Sequence, residues 1–165
     1  MANFLWGKVY NNHIFAGVLR EEPGDSTSFE YDSTYLAAGH PAIAHTLPTS
    51  SVRHIAPTGL PPFFDNLVAE GWLEHAQTRL LGKRSVSRFE LLLAFGYDCA
   101  GAVSILDPES AALSNHLLDL KNPKEIATLT SRASLSGVQP KLAVIARDGK
   151  YYPSRAGELS TPMTK

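Results

Sequence analysis

A chain of 165 residues, 44% hydrophobic and 19% charged, has enough apolar side chains for a folded core, which excludes a disordered tail. Its net charge of −1 gives no support to a general polyanion binder, and its single cysteine, Cys99, can close no internal disulfide. Twelve glycines and eleven prolines require many turns and argue against a plain helical bundle.

The stretch "FLWGKVYNNHIFAGVLRE" reads as two β-runs separated by Asn11-Asn12, a pair suited to a tight hairpin turn. "TSFEYD" predicts a third short strand, with Phe29 and Tyr31 on one face and Ser28 and Glu30 on the other. "STYLAAGHPAIAHTLPTSS" reads as irregular, because Pro41 and Pro48 interrupt any long regular element. From Leu60 to Gly82, Phe63, Phe64, Leu67, Trp72, Leu73, Ala76 and Leu80 recur at roughly helical spacing, with a break expected at Gly71. In "SVSRFELLLAFGYD" Ser87 and Glu90 form a capping-box pattern, and Gly96 is expected to stop the helix. "GAVSIL" predicts a further strand, and a short helix is expected over 109–119 in the polar stretch after it. Asp148-Gly149 then joins two extended runs as a second hairpin.

The fold class expected is α+β. Residues 1–108 form a mixed β unit with helices, 109–131 a connector, and 132–165 an incomplete antiparallel β segment. From Arg132 onward there are six basic and two acidic residues, or +4, against −5 for the rest. No window approaches the roughly eighteen apolar residues of a membrane span. The opening "MANFLWGKVYNNHIFAG" lacks the charged and apolar regions of a signal peptide, so a cytoplasmic location is expected.

Familiar catalytic signatures are missing: there is no GxSxG, HExxH, CxxC or GxxxxGK[ST]. Six histidines are scattered, and no pair has standard helical metal-ligand spacing, so no metal site is expected. Cys99 beside an apolar run reads as a buried structural thiol. The segment "SLSGVQPKLAV" differs from these. Its small residues let backbone N–H groups approach phosphate oxygens, Ser134 and Ser136 add hydroxyls, and Gln139 and Lys141 add polar reach. A plain turn before a strand has the same composition, so the loop alone leaves both readings open.

Four segments together resemble the HipA family, the Ser/Thr kinase toxins of bacterial toxin–antitoxin modules. "LPPFFDNLVAEGWL" is similar to that family's "PFFDNLLPEGW", and "ELLLAFGYDCAGAVSIL" to its "LLAAIGRDCAGALSF"-type segment. "SLSGVQPKLAV" resembles its phosphate loop, and "STPMTK" sits where members have "STHIxK". Pro162 and Thr164 depart from that last pattern.

The resemblance implies an N-terminal subdomain followed by the start of a kinase N-lobe. It assigns Ser134, Ser136, Gly137, Val138, Gln139, Lys141 and Lys165 to a partial ATP site, with Ser134 the candidate for autophosphorylation. Phe63, Phe64, Asn66, Glu70 and Trp72 become the candidate partner surface, with Trp72 as anchor or, alternatively, as core. The metal-binding and catalytic groups of such a kinase belong to a C-terminal lobe. ATP and Mg²⁺ are therefore expected only where that lobe is supplied, and the chain alone is expected to be inactive as a kinase, with no catalytic residue of its own. Two readings follow: the N-terminal portion of a HipA-like kinase, or a stand-alone regulatory, antitoxin-like module acting on a separate kinase core. The partners implied are that core and a small helix-turn-helix antitoxin, with DNA reached only through the antitoxin and no membrane.

Overall fold

The computed structural model describes residues 4–99, 101–108 and 144–153. The fold is α+β: a five-stranded antiparallel sheet carries short helices against one face. Strands β1 (Trp6–Asn11), β2 (Ile14–Glu22), β3 (Ser26–Tyr31) and β4 (Arg53–Ala56) follow one another across the sheet. Strand β5 (Val103–Leu106) returns to pair with β1, so the order is β4-β3-β2-β1-β5.

The β1–β2 turn is Asn12-His13, one residue later than the predicted Asn11-Asn12, with φ of 49° and 67°. Positive φ at both positions is the mirror-image turn whose twist suits a hairpin. Asn11 remains in the strand opposite Ile14, and its Nδ2 donates inward to the Tyr35 hydroxyl at 2.8 Å. A bulge follows in β2, where Val9 faces Gly17 but Tyr10 faces Phe15, leaving Ala16 as the extra residue. The Ala16 carbonyl accepts from Asp32 N–H at 2.8 Å, which fixes the chain leaving β3.

Two elements went unpredicted between 33 and 56. Asp32 caps the short helix α1 (Ser33–Ala37), its carboxylate accepting from the amides of Thr34 and Tyr35 at 2.9 and 3.2 Å. Strand β4 is the other, an edge strand whose state is imposed by pairing with β3 over Thr27–Glu30. The segment between them is irregular, as its prolines require, and two tyrosines tie it to the sheet. Tyr31 Oη donates to the Leu47 carbonyl at 2.6 Å and accepts from Ile43 N–H at 3.0 Å. Tyr35 Oη donates to the Pro41 carbonyl at 2.7 Å.

Burial pushes the Tyr31 hydroxyl above its ordinary pKa of 10.0, against the opposing pull of the Ile43 N–H. The folded state therefore holds this proton more tightly than the unfolded chain does. That contribution is complete below pH 10 and is lost as pH rises through the folded value. Tyr31→Phe is expected to cost about 1–2 kcal/mol at neutral pH, by leaving two backbone groups unpaired. Urea unfolding should show this loss at pH 7, together with a shallower fall of stability above pH 10 than in the unsubstituted protein.

The core lies between the sheet and helices α2 (Pro62–Asp65), α3 (Trp72–Leu80) and α4 (Arg88–Phe95). Helix α4 presents Phe89, Leu91, Leu92, Leu93, Ala94 and Phe95 as buried residues. A helix apolar all round must be enclosed, and α4 packs on β5 and α3. Its start has the predicted capping box: Ser87 Oγ accepts from Glu90 N–H at 3.1 Å while Glu90 Oε2 accepts from Ser87 N–H at 2.7 Å. Gly96 does follow α4, yet with φ −76° it is not a left-handed cap. Its bareness serves packing, since an added Cβ would stand 3.1 Å from Ile105 Cβ.

Cys99 is buried, as its setting indicated, and its thiol donates to the Gly96 carbonyl at 3.3 Å. Gln77, on the inner side of α3, is only 1% exposed, and its side chain has no hydrogen bond among the described residues. An unpaired buried amide costs roughly 1–3 kcal/mol, while an apolar group of similar shape avoids that penalty. Gln77→Met is therefore expected to stabilise the fold by about 1 kcal/mol, seen as a raised thermal midpoint.

Further along, β6 (Val144–Arg147) and β7 (Lys150–Pro153) pair as the predicted hairpin. Asp148 and Gly149 form its turn with φ of 50° and 74°. The expected 109–119 helix and the connector 109–131 lie outside the described residues. Among the described residues no helix is long and apolar enough to cross a membrane.

Candidate functional site

The segment from Pro61 to Arg84 combines a buried anchor with an exposed rim. Pro62 opens α2 at the position where a missing N–H is harmless. The one turn of α2 then separates two neighbouring rings. Phe64 is wholly buried, 5.3 Å from Phe29 between ring centroids, while Phe63 is half-buried and meets Phe64 edge-on at 5.2 Å. The Phe64 ring fills the core and has no surface exposed to solvent.

Asp65 closes α2 and joins it to α4. The Arg88 Nε donates to Asp65 Oδ1 and its Nη2 to the Asp65 carbonyl at 2.8 Å. One guanidinium thus holds both the side chain and the backbone at the end of α2, a geometry its planar fork allows. Leu67, Val68 and Ala69 then run inward and are buried. Asn66, before them, and Glu70, after them, are exposed.

Gly71 makes the next change of direction. Its φ of 62° and ψ of −129° form a conformation essentially closed to residues with a Cβ. As α3 starts, Leu73 enters the core at 6% exposure while Trp72 stays 36% exposed. Trp72 belongs to no buried cluster, and its ring is in no aromatic pair among the described residues. Of the five residues proposed as a partner surface, Asn66, Glu70 and Trp72 reach solvent, Phe63 does so in part, and Phe64 does not.

The motif left three neighbours unnoticed. His75, Arg79 and Arg84 are also exposed, the first two on α3 and the third just after Gly82. Counting three and seven residues on from Trp72 would have placed His75 and Arg79 beside it on one helical stripe. The loop residues Ser134, Ser136, Gly137, Val138, Gln139 and Lys141, and Lys165 beyond them, lie outside the described residues. Among the described residues no group of three or more His, Cys, Asp or Glu side chains could hold a metal ion.

Compared with known proteins, residues 7–106 match a family model described as the HipA N-terminal domain. A solved structure described as the N-terminal domain of HipA toxin is similar at 23% identity, over 67% of this chain and 98% of its own, with a TM-score of 0.48. No curated protein matches.

Proposed function

Because the chain belongs to the family of HipA N-terminal domains, we propose that its first unit is the non-catalytic docking unit of a HipA-like toxin–antitoxin Ser/Thr kinase. It works by seating Trp72 on a kinase core. The observation that carries this reading is the contrast at Gly71: the chain is pinned by Phe64, Ala69 and Leu73, yet it turns one large indole outward. A large aromatic presented from a backbone anchored by buried neighbours is well placed to fill a partner's pocket. The same surface serves whether the core is joined to this unit or separate from it.

The assignment of Ser134, Ser136, Gly137, Val138, Gln139, Lys141 and Lys165 to ATP phosphates is part of the proposal, with Ser134 as the autophosphorylation candidate. It is supported by the "SLSGVQPKLAV" and "STPMTK" motifs, not by geometry. Mg²⁺ and the groups that stabilise the transferring phosphoryl belong to the core.

A kinase assay tests the reading. Adding the 165-residue chain to a purified HipA-type kinase core should change the core's autophosphorylation rate in proportion to the complex formed. The chain alone should show no Mg²⁺-dependent ATP turnover. A core indifferent to saturating amounts of the chain would count against docking, and turnover by the chain alone would count against a non-catalytic unit.

A further inference from the structure

The exposed side of α3 carries more than an indole. Trp72, His75 and Arg79 form a stripe along the helix, opposite the buried Leu73 and Gln77. Charges are sorted along it. Exposed Glu70 precedes the N-terminal end, whereas Arg79 and exposed Arg84 flank the C-terminal end, with His75 between.

Neighbouring cations are already engaged within the unit. Lys83 Nζ donates to Glu90 Oε1 at 2.6 Å, and Arg88 pairs with Asp65. Arg79 is different: its Nε reaches only the His75 carbonyl, at 3.4 Å, and it has no carboxylate partner among the described residues. Arg84 likewise forms no ion pair among them. Favourable placement near a helix C-terminus accounts for one such cation on α3. It does not account for Arg84, which lies two residues beyond Gly82 where the helix has ended.

We infer that the stripe meets an acidic protein surface: an apolar slot for Trp72 bordered, toward Arg79 and Arg84, by carboxylates of the partner. This rests on the docking reading above and adds the partner's chemistry and orientation. Glu70 turns the acidic border away from the other end, because like charges brought together oppose association. The seating is therefore directional, with the partner's carboxylates over the C-terminal half of α3. Such contacts form at the rim and are screened by salt, so affinity falls as ionic strength rises.

The test is calorimetric titration of the full chain into a HipA-type kinase core at low and high salt. The unsubstituted chain is compared with Arg79→Glu/Arg84→Glu and with Trp72→Ala, each checked for an unchanged thermal midpoint. The inference expects the double charge reversal to weaken binding at least tenfold at low salt and to abolish most of the salt dependence. Binding that is insensitive to both salt and charge reversal, while Trp72→Ala still destroys it, would overturn the acidic surface and leave the docking reading intact. No binding by the unsubstituted chain, or binding unaffected by any of the three substitutions, would overturn both. As the three residues are exposed, a variant with a lowered midpoint is replaced by Arg79→Gln/Arg84→Gln, which should lose affinity in the same direction by a smaller factor.

Discussion

Gly17→Ala is expected to destabilise the protein by about 3 kcal/mol or more, the upper end for forcing extra atoms into a packed interior. Gly17 stands in β2 opposite Val9 on one side and Tyr31 on the other. A Cβ built there would lie 2.1 Å from the Glu30 carbonyl oxygen and 3.0 Å from Tyr31 Cα. Those are backbone atoms of β3, so no side-chain rotation relieves the contact. The strands must separate, beside the Ala16 bulge that also holds Asp32. Glu30 pairs with Arg53 and Tyr31 carries the loop staple, so the damage reaches β4 and residues 43–47 as well. Chemical denaturation with a far-ultraviolet circular dichroism readout measures the loss. A midpoint within experimental error of the parent would show that this close approach is not a constraint on the sheet.

Trp72→Ala is expected to leave folding nearly unchanged and to weaken association with a HipA-type kinase core by a factor of roughly 100, the size of loss typical of a central aromatic anchor. The separation of the two effects follows from position. Trp72 is the first residue of α3 and 36% exposed, whereas Leu73 beside it is 6% exposed and carries the packing. Phe64→Ala supplies the contrast. Its ring is wholly buried, so truncation should cost about 3–5 kcal/mol of stability through the cavity it leaves. A Trp72→Ala protein that unfolds as readily as Phe64→Ala would place the indole in the core.

Features that arise from neighbours in the chain are legible in the sequence. The Ser87/Glu90 capping box, the break at Gly71 and the Asp148-Gly149 turn each depend on local chemistry, and each is present. Strand β4 was not legible because "RHIA" has no apolar alternation of its own; pairing with β3 makes it a strand. The Asn11-Asn12 pair reads as the turn, but the Tyr35 hydroxyl gives the Asn11 amide a buried partner 24 positions away and keeps Asn11 in the strand. Gln77, a polar residue on α3, is buried, which its residue type does not signal.

The candidate surface divides along the same line. "FFDNLVAEGW" marks the family, but a motif runs core and surface residues together. Phe63 and Phe64 are adjacent and chemically identical, and only the direction of α2 against Phe29 assigns the second to the core. Arg88 was invisible as the clamp on Asp65 because 23 positions separate them. The His75 and Arg79 positions could have been read from helical spacing, whereas their lack of carboxylate partners needed the fold.

The most direct measurement of the central claim is titration of the intact 165-residue chain into a purified HipA-type kinase core. With Trp6 replaced by Phe so that Trp72 is the chain's one indole, a saturable one-to-one complex that protects Trp72, labelled as 5-fluorotryptophan, from solvent quencher is the result this account requires. A chain that stays monomeric beside the core, with Trp72 as accessible to quencher as before, would contradict it.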